Sequence, residues 1–523
     1  MKVKSIYLSL ISILLLSIGW LGLTGLTLVV ALVPLLIISS RAERSRRGWW
    51  GIFGWSLFTF VGWNLSTIWW IGYATPVGPF AATLASTFLS MVAFMTYHTV
   101  AKYAPRSLSY TILVTLWVAL EYLYTIGDFS WPWLLLGNGL SNDIWAVQWY
   151  EYTGIFGGSL WIMVSNILVF EFVRRGEYSL RAAIKPLAKI VLPLLISLII
   201  FISYSVDEHR ERMEISVIQP NVDAYEKFDG DSDAQERNII DLLGQVPVSS
   251  AVALLPETAL PRNYMKDRFT SAPYIRSLID TLRGNLPNTT IISGINSYVF
   301  YRDGYQSATA RKLHVSKGYV DYFNSAIAID SSEGIQLRDK AKLVIGVENT
   351  PTWVFDLFKF FVIDIGGVVG QIGRGDSAEA FKIDDTRVGV AICYEALYGN
   401  FYSDFVRNGA EVMTIISNDG WWEDTPGHRH LYSFSSLRAI ETRRAIARSA
   451  NTGTSGFIDE RGVSIESMGW EQRGVITNSL PLNNYMTLYV RYGDLIARLC
   501  SLLSILSLLY YIALRAKQRH NLV

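Results

Sequence analysis

The sequence predicts a multi-span α-helical membrane domain of eight spans joined to one α/β domain, and three observations carry that prediction. Half of the 523 residues are hydrophobic and only 17% are charged, against about a quarter in ordinary soluble proteins. The charge is also unevenly placed. No Lys or Arg occurs between Ser107 and Gly158, whereas residues 207–490 carry the mixture of a normal globular protein. Within that charged region, short β-rich runs alternate with helical or polar segments, the signature of a layered α/β domain.

The spans come first. A bilayer crossing needs about 20 apolar residues, and such stretches lie at 5–20, 22–40, 50–73, 80–101, 108–127, 155–173, 189–205 and 492–514. The first two form one uncharged run divided by "GWLGLTG" at 19–25. Basic residues then mark alternate connections. Lys2 and Lys4 precede the first span, "RAERSRR" (41–47) follows the second, and Lys102 and Arg106 follow the fourth. Arg174, Arg175, Arg181, Lys185 and Lys189 follow the sixth, and Arg515, Lys517 and Arg519 the eighth. The loops between spans 1–2, 3–4 and 5–6 have no Lys or Arg. Positive residues stay inside, so both termini are expected in the cytoplasm and residues 207–490 on the opposite face. The opening run lacks a small-x-small cleavage site and reads as a retained span. The expected organisation is spans 1–7 in 1–206, an extracytoplasmic domain in 207–490, and span 8 with a tail in 491–523.

In the charged domain the clearest strands are "EISVIQPNV" (214–222), "SAVALLPE" (250–257), "NTTIISGIN" (288–296), "YFNSAIAID" (322–330), "RVGVAICYE" (387–395) and "AEVMTIISND" (410–419). Helices are expected at "DAQERNIIDLLGQV" and "HLYSFSSLRAIETRRAIAR". Glu257, Cys393 and the pair Asn418–Asp419 close strands at their C-terminal ends, where open α/β sheets place their sites. Cys393 and Cys500 are the only cysteines. Cys500 lies in the last span, so Cys393 has no disulfide partner, and in a bacterium with two membranes it faces the oxidising periplasm. It is either an inert buried thiol or a nucleophile. A nucleophilic thiol needs a base and a positive or N–H-lined oxyanion site. Glu257, Lys340 and Cys393 supply those three roles by residue type; spacing alone leaves the choice open.

Glu257, Lys340 and Cys393 on such strands resemble the nitrilase superfamily, whose members place a Glu–Lys–Cys triad on an α-β-β-α sandwich. Within it, the likeness is to the apolipoprotein N-acyltransferase family. It spans nearly the whole chain and rests on "WVALEYLY…SWPWLLLGN" (117–138), "QPNV" (219–222), "PETALP", "KAKLVIGVE", "AICYE", "SNDGWW" (417–422) and "RSANTGTSGFID" (448–459). The resemblance implies that Glu257 is the general base, Lys340 holds the oxyanion and Cys393 carries the acyl group. It also implies support from Glu348 and Glu395, with the Tyr394 N–H as second oxyanion donor. The family's usual "LVPFGE" reads "LVIGVE" here, and Phe228 stands where many members have tryptophan. The activity implied is transfer of an acyl chain from a membrane phospholipid, phosphatidylethanolamine by resemblance, through a cysteine thioester. The acceptor is the N-terminal amine of S-diacylglyceryl-cysteine apolipoproteins, which become triacylated. No metal or organic cofactor is expected, and the place implied is a bacterial inner membrane, the protein being a monomer.

Other features leave choices open. The apolar segment 351–370, with Trp353, Phe358 and Phe361, is either an arm dipping into the outer leaflet or a packed helix. Trp421 and Trp422 are a mobile lid or an interfacial anchor. Glu121, a carboxyl inside the fifth span, is functional or a hydrogen-bonding tie between spans. The histidines of "GHRH" (427–430) make a weak metal signal and read as structural. Arg438, Glu441 and Arg448 read as solvated or domain-stabilising. The formal charge of +1 gives no reason to expect nucleic acid, and no G-x-S-x-G, Walker A or H-E-x-x-H pattern occurs. Two rival activities remain: a membrane-anchored nitrilase or amidase-type C–N hydrolase, and a non-catalytic binding or transport protein with a degenerate hydrolase domain.

Overall fold

The computed structural model describes residues 3–42, 48–127, 130–205, 209–225, 227, 230–302, 307–313, 318–349 and 371–520. They divide into two compact units. Residues 1–72, 77–204 and 492–523 make up the first, and residues 73–76 and 205–491 the second.

The first unit is helical, and each apolar segment of the sequence falls on a helix or a broken pair of helices. The eight-span count is not reproduced as such. Among the described residues, five helices are long and apolar enough to cross a membrane: Gly25–Ala42, Gly78–Ala101, Tyr150–Arg175, Leu180–Ser203 and Leu495–His520, with Ser5–Leu21 a shorter apolar one. The helices Gly48–Ile68 and Arg106–Leu123 fall outside that group because polar residues dilute their hydropathy. On Gly48–Ile68 those polar residues are buried, Ser56, Thr59, Asn64 and Thr67 among them. Polar and small side chains turned inward are what helices packed in lipid use against one another. Leu180–Ser203 is the opposite case: among its residues only Ser197 is buried, and it starts at Leu180 rather than at 189, taking Lys185 and Lys189 into the helix. The helix break near Leu32 is repaired by a buried asparagine. Asn166 Nδ2 donates to Leu28 O at 2.7 Å, and its Oδ1 accepts from Leu32 N at 2.7 Å, so the backbone groups freed by the break keep partners.

The second unit contains two sheets. The first is assembled from β1 (Arg212–Gln219), β2 (Val252–Leu254), β3 (Leu260–Met265), β4 (Thr290–Tyr301), β5 (Arg311–Lys312), β6 (Tyr319–Ile329) and β7 (Ile335–Asp339). The second contains β8 (Phe381–Ile383), β9 (Thr386–Ile392), β10 (Val412–Ser417), β11 (Ile446–Ala450), β12 (Ser455–Ile458) and β13 (Ser464–Met468). The chain then returns: β14 (Gly474–Pro481) pairs antiparallel with β1. The centres of both sheets are parallel, β1–β2–β4 in one and β9–β10–β11 in the other, which fits their unbroken apolar runs.

Helices cover the outer faces. Ser232–Leu243 is capped by Asp231, whose carboxylate accepts from Asp233 N and Ala234 N at 2.9 and 3.1 Å. It and Pro273–Asn285 bury Ile239, Leu242, Ile275 and Leu278 against Leu255, Ile291 and Ile327. Gly399–Arg407 and Pro426–Thr442 do the same for the other sheet through Tyr402, Phe405 and Ala439 against Ala391, Met413 and Ile446. The inner faces meet directly, Ser449 Oγ donating to Ile218 O at 2.7 Å. The layer order is α-β-β-α. One predicted helix is shorter than expected. The segment 430–448 is helical only to Thr442; Arg443 turns into the left-handed region at φ 50°, and Ile446–Ala450 pairs with β10. Sheet pairing overrides the helical period of that stretch.

Candidate active site

Strand ends converge at one point of the second unit. Glu257 follows β2, Lys340 follows β7, Cys393 follows β9 and Asn418 follows β10. The tightness of the packing there is visible at Gly294 on β4, where a Cβ would stand 2.5 Å from Glu257 Cα. Only glycine lets β4 pass that close.

Glu257 is the hub. Its Oε1 accepts from Lys340 Nζ at 2.8 Å and from Asn324 Nδ2 at 2.7 Å, and its Oε2 accepts from Asn418 N at 3.0 Å. The buried Cys393 thiol lies beside the same carboxylate and adds to the groups that favour its ionised form. Lys340 is also held by Glu348 Oε1 at 3.0 Å. Glu348 is set by the turn Val344–Glu348, in which Glu348 N donates to Val344 O at 2.9 Å and Glu348 Oε2 accepts from Val344 N at 2.9 Å. Gly346 takes φ +81° in that turn, a conformation that favours glycine, so the altered position of glycine in "LVIGVE" matches a real backbone demand.

Cys393 sits at φ 49° between β9 and the short 3₁₀ turn Cys393–Leu397. A non-glycine residue there is strained, and such strain persists only where surroundings over-determine it. Glu395 supplies the constraint. It accepts from Ile392 N at 2.8 Å and Ala341 N at 2.6 Å, and its carboxylate is gripped by both terminal nitrogens of Arg338. Arg338 and Glu395 are 2% and 0% exposed in their side chains. Removing one partner of such a buried pair leaves an uncompensated charge, which costs about 3–5 kcal/mol. Arg338→Met is therefore expected to lower the unfolding free energy by about that amount, read from a chemical denaturation midpoint.

The charges settle each other. Burial alone raises the Glu257 carboxyl, but the Lys340 ammonium, with Asn324 and the thiol, outweighs it and holds the group below the usual carboxylate range. Burial lowers Lys340, and the Glu257 and Glu348 carboxylates more than reverse that, so it stays an ammonium. Burial and then the charge of Glu257 push the Cys393 thiol well up, against the opposing pull of Lys340. At neutral pH the site therefore holds a carboxylate, an ammonium and a protonated thiol. A thiol in that state becomes a nucleophile only as its proton moves to the adjacent base.

The sequence-predicted residues Glu257, Lys340, Cys393 and Glu348 come together, and Glu395 lies one layer behind, acting on backbone. Tyr394 is buried, its ring 5.5 Å from that of Tyr398. Trp421 packs edge-on against Tyr225 at 5.5 Å, and Trp421 and Trp422 are both half-buried in the turn Asp419–Trp422. Trp353, Phe358, Phe361 and Phe228 lie outside the described residues. His428 is buried, 3.1 Å from Asp424 and against the Trp470 ring, and no cluster able to hold a metal exists among the described residues. Arg438 and Arg448 are not solvated: they form buried ion pairs with Glu441 and Asp419, each at 2.9 Å. A charge deep in a packed domain needs such a partner.

Three residues escaped the sequence reading. Asn324 donates to both Glu257 and Glu348, the latter at 2.9 Å; a lone amide in the apolar strand "YFNSAIAID" was its available signal. Arg338 lies two residues before Lys340, hence on the same strand face. Lys227, in a charged loop, gave no signal. It is 2% exposed, donates to Glu257 O at 3.1 Å and Thr258 Oγ1 at 2.9 Å, and burial pushes it down to about 7 against the pull of Glu257. Asn324→Ala is expected to lower kcat about ten- to a hundredfold with KM little changed, since a hydrogen bond to a charged group contributes about 1.5–3 kcal/mol. Steady-state kinetics check it.

The family profile described as carbon-nitrogen hydrolase matches residues 296–488, and that described as the apolipoprotein N-acyltransferase N-terminal domain matches residues 12–168. The chain is 28% identical to the apolipoprotein N-acyltransferase of Chlorobaculum tepidum over 90% of its own length and 89% of that protein. It is 24% identical to that of Gloeobacter violaceus over 94% and 90%, and 27% identical to that of Geobacter metallireducens over 74% and 71%.

Proposed function

The chain belongs to the apolipoprotein N-acyltransferase family, and from that premise we propose that it moves a fatty acyl chain from a membrane phospholipid to the N-terminal amine of S-diacylglyceryl-cysteine lipoproteins, through a thioester on Cys393. The observation that supports the reading is a buried thiol beside a buried carboxylate that the Lys340 ammonium holds at 2.8 Å.

Glu257 takes the Cys393 proton as the sulfur attacks the ester carbonyl, with phosphatidylethanolamine the donor by family likeness. The Lys340 ammonium and the Tyr394 N–H hold the oxyanion. Collapse breaks the ester C–O bond, Glu257 returns the proton to the leaving alkoxide, and a lysophospholipid departs with a free hydroxyl. The lipoprotein amine then attacks the thioester, Glu257 receives the amine proton, and the thiolate leaves and is reprotonated. The product is an amide, and the enzyme is restored. Glu348 and Asn324 keep Lys340 and Glu257 in register, and Glu395 fixes the strained turn that presents the sulfur.

The basic residues on alternate loops support a multi-pass orientation of eight spans in an inner membrane, with both termini in the cytoplasm and the catalytic unit in the periplasm. In this reading the segment 351–370 guides acyl chains and Trp421 and Trp422 form a lid. The decisive experiment gives the purified protein phospholipid and a synthetic diacylated lipopeptide. A mass gain of one acyl chain on the peptide is expected; free fatty acid with unmodified peptide would mean a hydrolase and would end the proposal.

A further inference from the structure

Asn324 carries a buried acceptor that the acyl-transfer steps leave unused. The residue lies on β6 and is 6% exposed, and its backbone is pinned there because Asn324 O accepts from Lys340 N at 2.8 Å. The side-chain nitrogen has two tasks. Nδ2 donates to Glu257 Oε1 at 2.7 Å and to Glu348 Oε1 at 2.9 Å. An ionised carboxylate only accepts, so the nitrogen of the amide, and not its oxygen, must face this pair. The neighbours thereby settle which way the group is turned. Both of its N–H bonds are spent, and Oδ1 finds no hydrogen-bond donor among the described residues. Buried polar atoms in native proteins are almost always paired, and one left unpaired is costly. An acceptor held open beside the base points to a donor that arrives.

The place of that oxygen says which donor fits. It shares a carbon with Nδ2, which puts it no more than about 5 Å from Glu257 Oε1. One small group can therefore donate to the carboxylate and to the amide together. The two substrates of the proposed acyl transfer differ in this respect. At its reacting carbon the phospholipid presents an ester, whose oxygens accept and cannot donate. The lipoprotein presents a primary amine with two N–H bonds. One proton goes to Glu257 as the nitrogen attacks the thioester; the other stays and becomes the N–H of the product amide. That retained N–H strengthens as a donor while the nitrogen gains positive charge, so a bond to it favours the transition state over the bound amine. We infer that Asn324 Oδ1 accepts the retained N–H and so positions the lipoprotein amine against the thioester. The amide nitrogen serves the base in both half-reactions, and the amide oxygen serves only the second. The inference rests on the proposed acyl transfer and balances with it: the C–N bond forms, the C–S bond breaks, Glu257 passes one amine proton to the departing sulfur, and Asn324 exchanges none.

The test separates the half-reactions in the full chain. The acyl-enzyme is formed from phosphatidylethanolamine, and its rate of formation is followed by intact mass. Loaded protein, freed of donor, is then mixed with a synthetic diacylated lipopeptide or with its N-methyl form, whose amine has a single N–H. Asn324→Ala is expected to slow loading about tenfold, through the lost Nδ2 bonds, and aminolysis by the primary amine about a hundredfold. With the N-methyl lipopeptide the variant should fall only about tenfold below wild type, because neither protein then has a retained N–H to accept. Equal slowing of both half-reactions, or the same hundredfold loss with the N-methyl acceptor, would overturn the inference and leave Asn324 a support of Glu257 alone. Should Asn324→Ala not fold, a cryo-EM structure of Cys393→Ala with the lipopeptide bound decides. The α-nitrogen is expected within about 3.2 Å of Asn324 Oδ1; a water on that oxygen with the amine elsewhere would overturn the inference. Failure of acyl transfer itself is read separately, as wild-type protein that never passes an acyl chain to the primary amine.

Discussion

Cys393→Ala is expected to abolish acyl transfer, a fall on the order of 10⁶-fold, the scale seen when a covalent nucleophile is removed. The loss follows from the division of labour in the site. Glu257 and Lys340 can polarise an ester, but without the sulfur no acyl-enzyme forms, and the incoming amine would have to attack the ester directly. The measurement is intact mass after incubation with phospholipid. Wild-type protein should gain one acyl chain that hydroxylamine removes, and the variant should gain none. Its thermal unfolding should match the wild type, since an alanine accepts the same φ of 49° at similar cost. An acyl group retained by Cys393→Ala would sink the assignment of the nucleophile.

Glu257→Gln is the second large effect. Loss of a positioned general base lowers rates by about 10²–10⁴-fold, and here it also strips Lys340 of one of its two carboxylate partners. The pH dependence gives the finer check. The folded carboxyl lies below its unfolded value of about 4.3, so its contribution to stability is complete above that pH and is lost as pH falls through the depressed folded value. Lys340 is raised above about 10.4; its contribution is complete below that pH and is lost only as pH rises through the raised value. The pair is intact between those limits, and the acid limb of kcat/KM should begin below about pH 4.3. An inflection near neutrality would belong to Lys227, pushed down to about 7, and should vanish in Lys227→Met. An acid limb near pH 6–7 that survives Lys227→Met would contradict the ionisation state assigned to Glu257.

The sequence and the structure agree most closely where type and position coincide. Glu257, Lys340 and Cys393 each follow a strand; those of Glu257 and Cys393 belong to the parallel centres of the two sheets, and that of Lys340 is the antiparallel β7. Less was legible where a residue acts through burial. Lys227 lies in a charged loop and is nonetheless enclosed, and Arg448 and Arg438 look solvated by composition yet are sealed in ion pairs. Whether a charge is enclosed depends on which elements fold over it, and local pattern does not record that. The same limit explains Ile446–Ala450, helical by period and a strand by its neighbour. It also bears on the spans. The polar residues that weaken Gly48–Ile68 as an apolar segment are turned inward, and hydropathy has no means of seeing direction.

The return of β14 to β1 has a consequence for biogenesis. Arg212 faces Pro481 across the ladder, so the first and last strands of the second unit lie side by side. The unit is topologically an insertion whose two ends are already tied, and its seam closes last. Until the ribosome has released residues 474–481, β1 presents an open edge on that side, inviting mispairing with a neighbouring nascent chain. Chains truncated before Gly474 should accumulate as protease-sensitive aggregates, while chains that extend past Arg491, and so carry both β14 and the buried Tyr489 and Val490, should resist digestion.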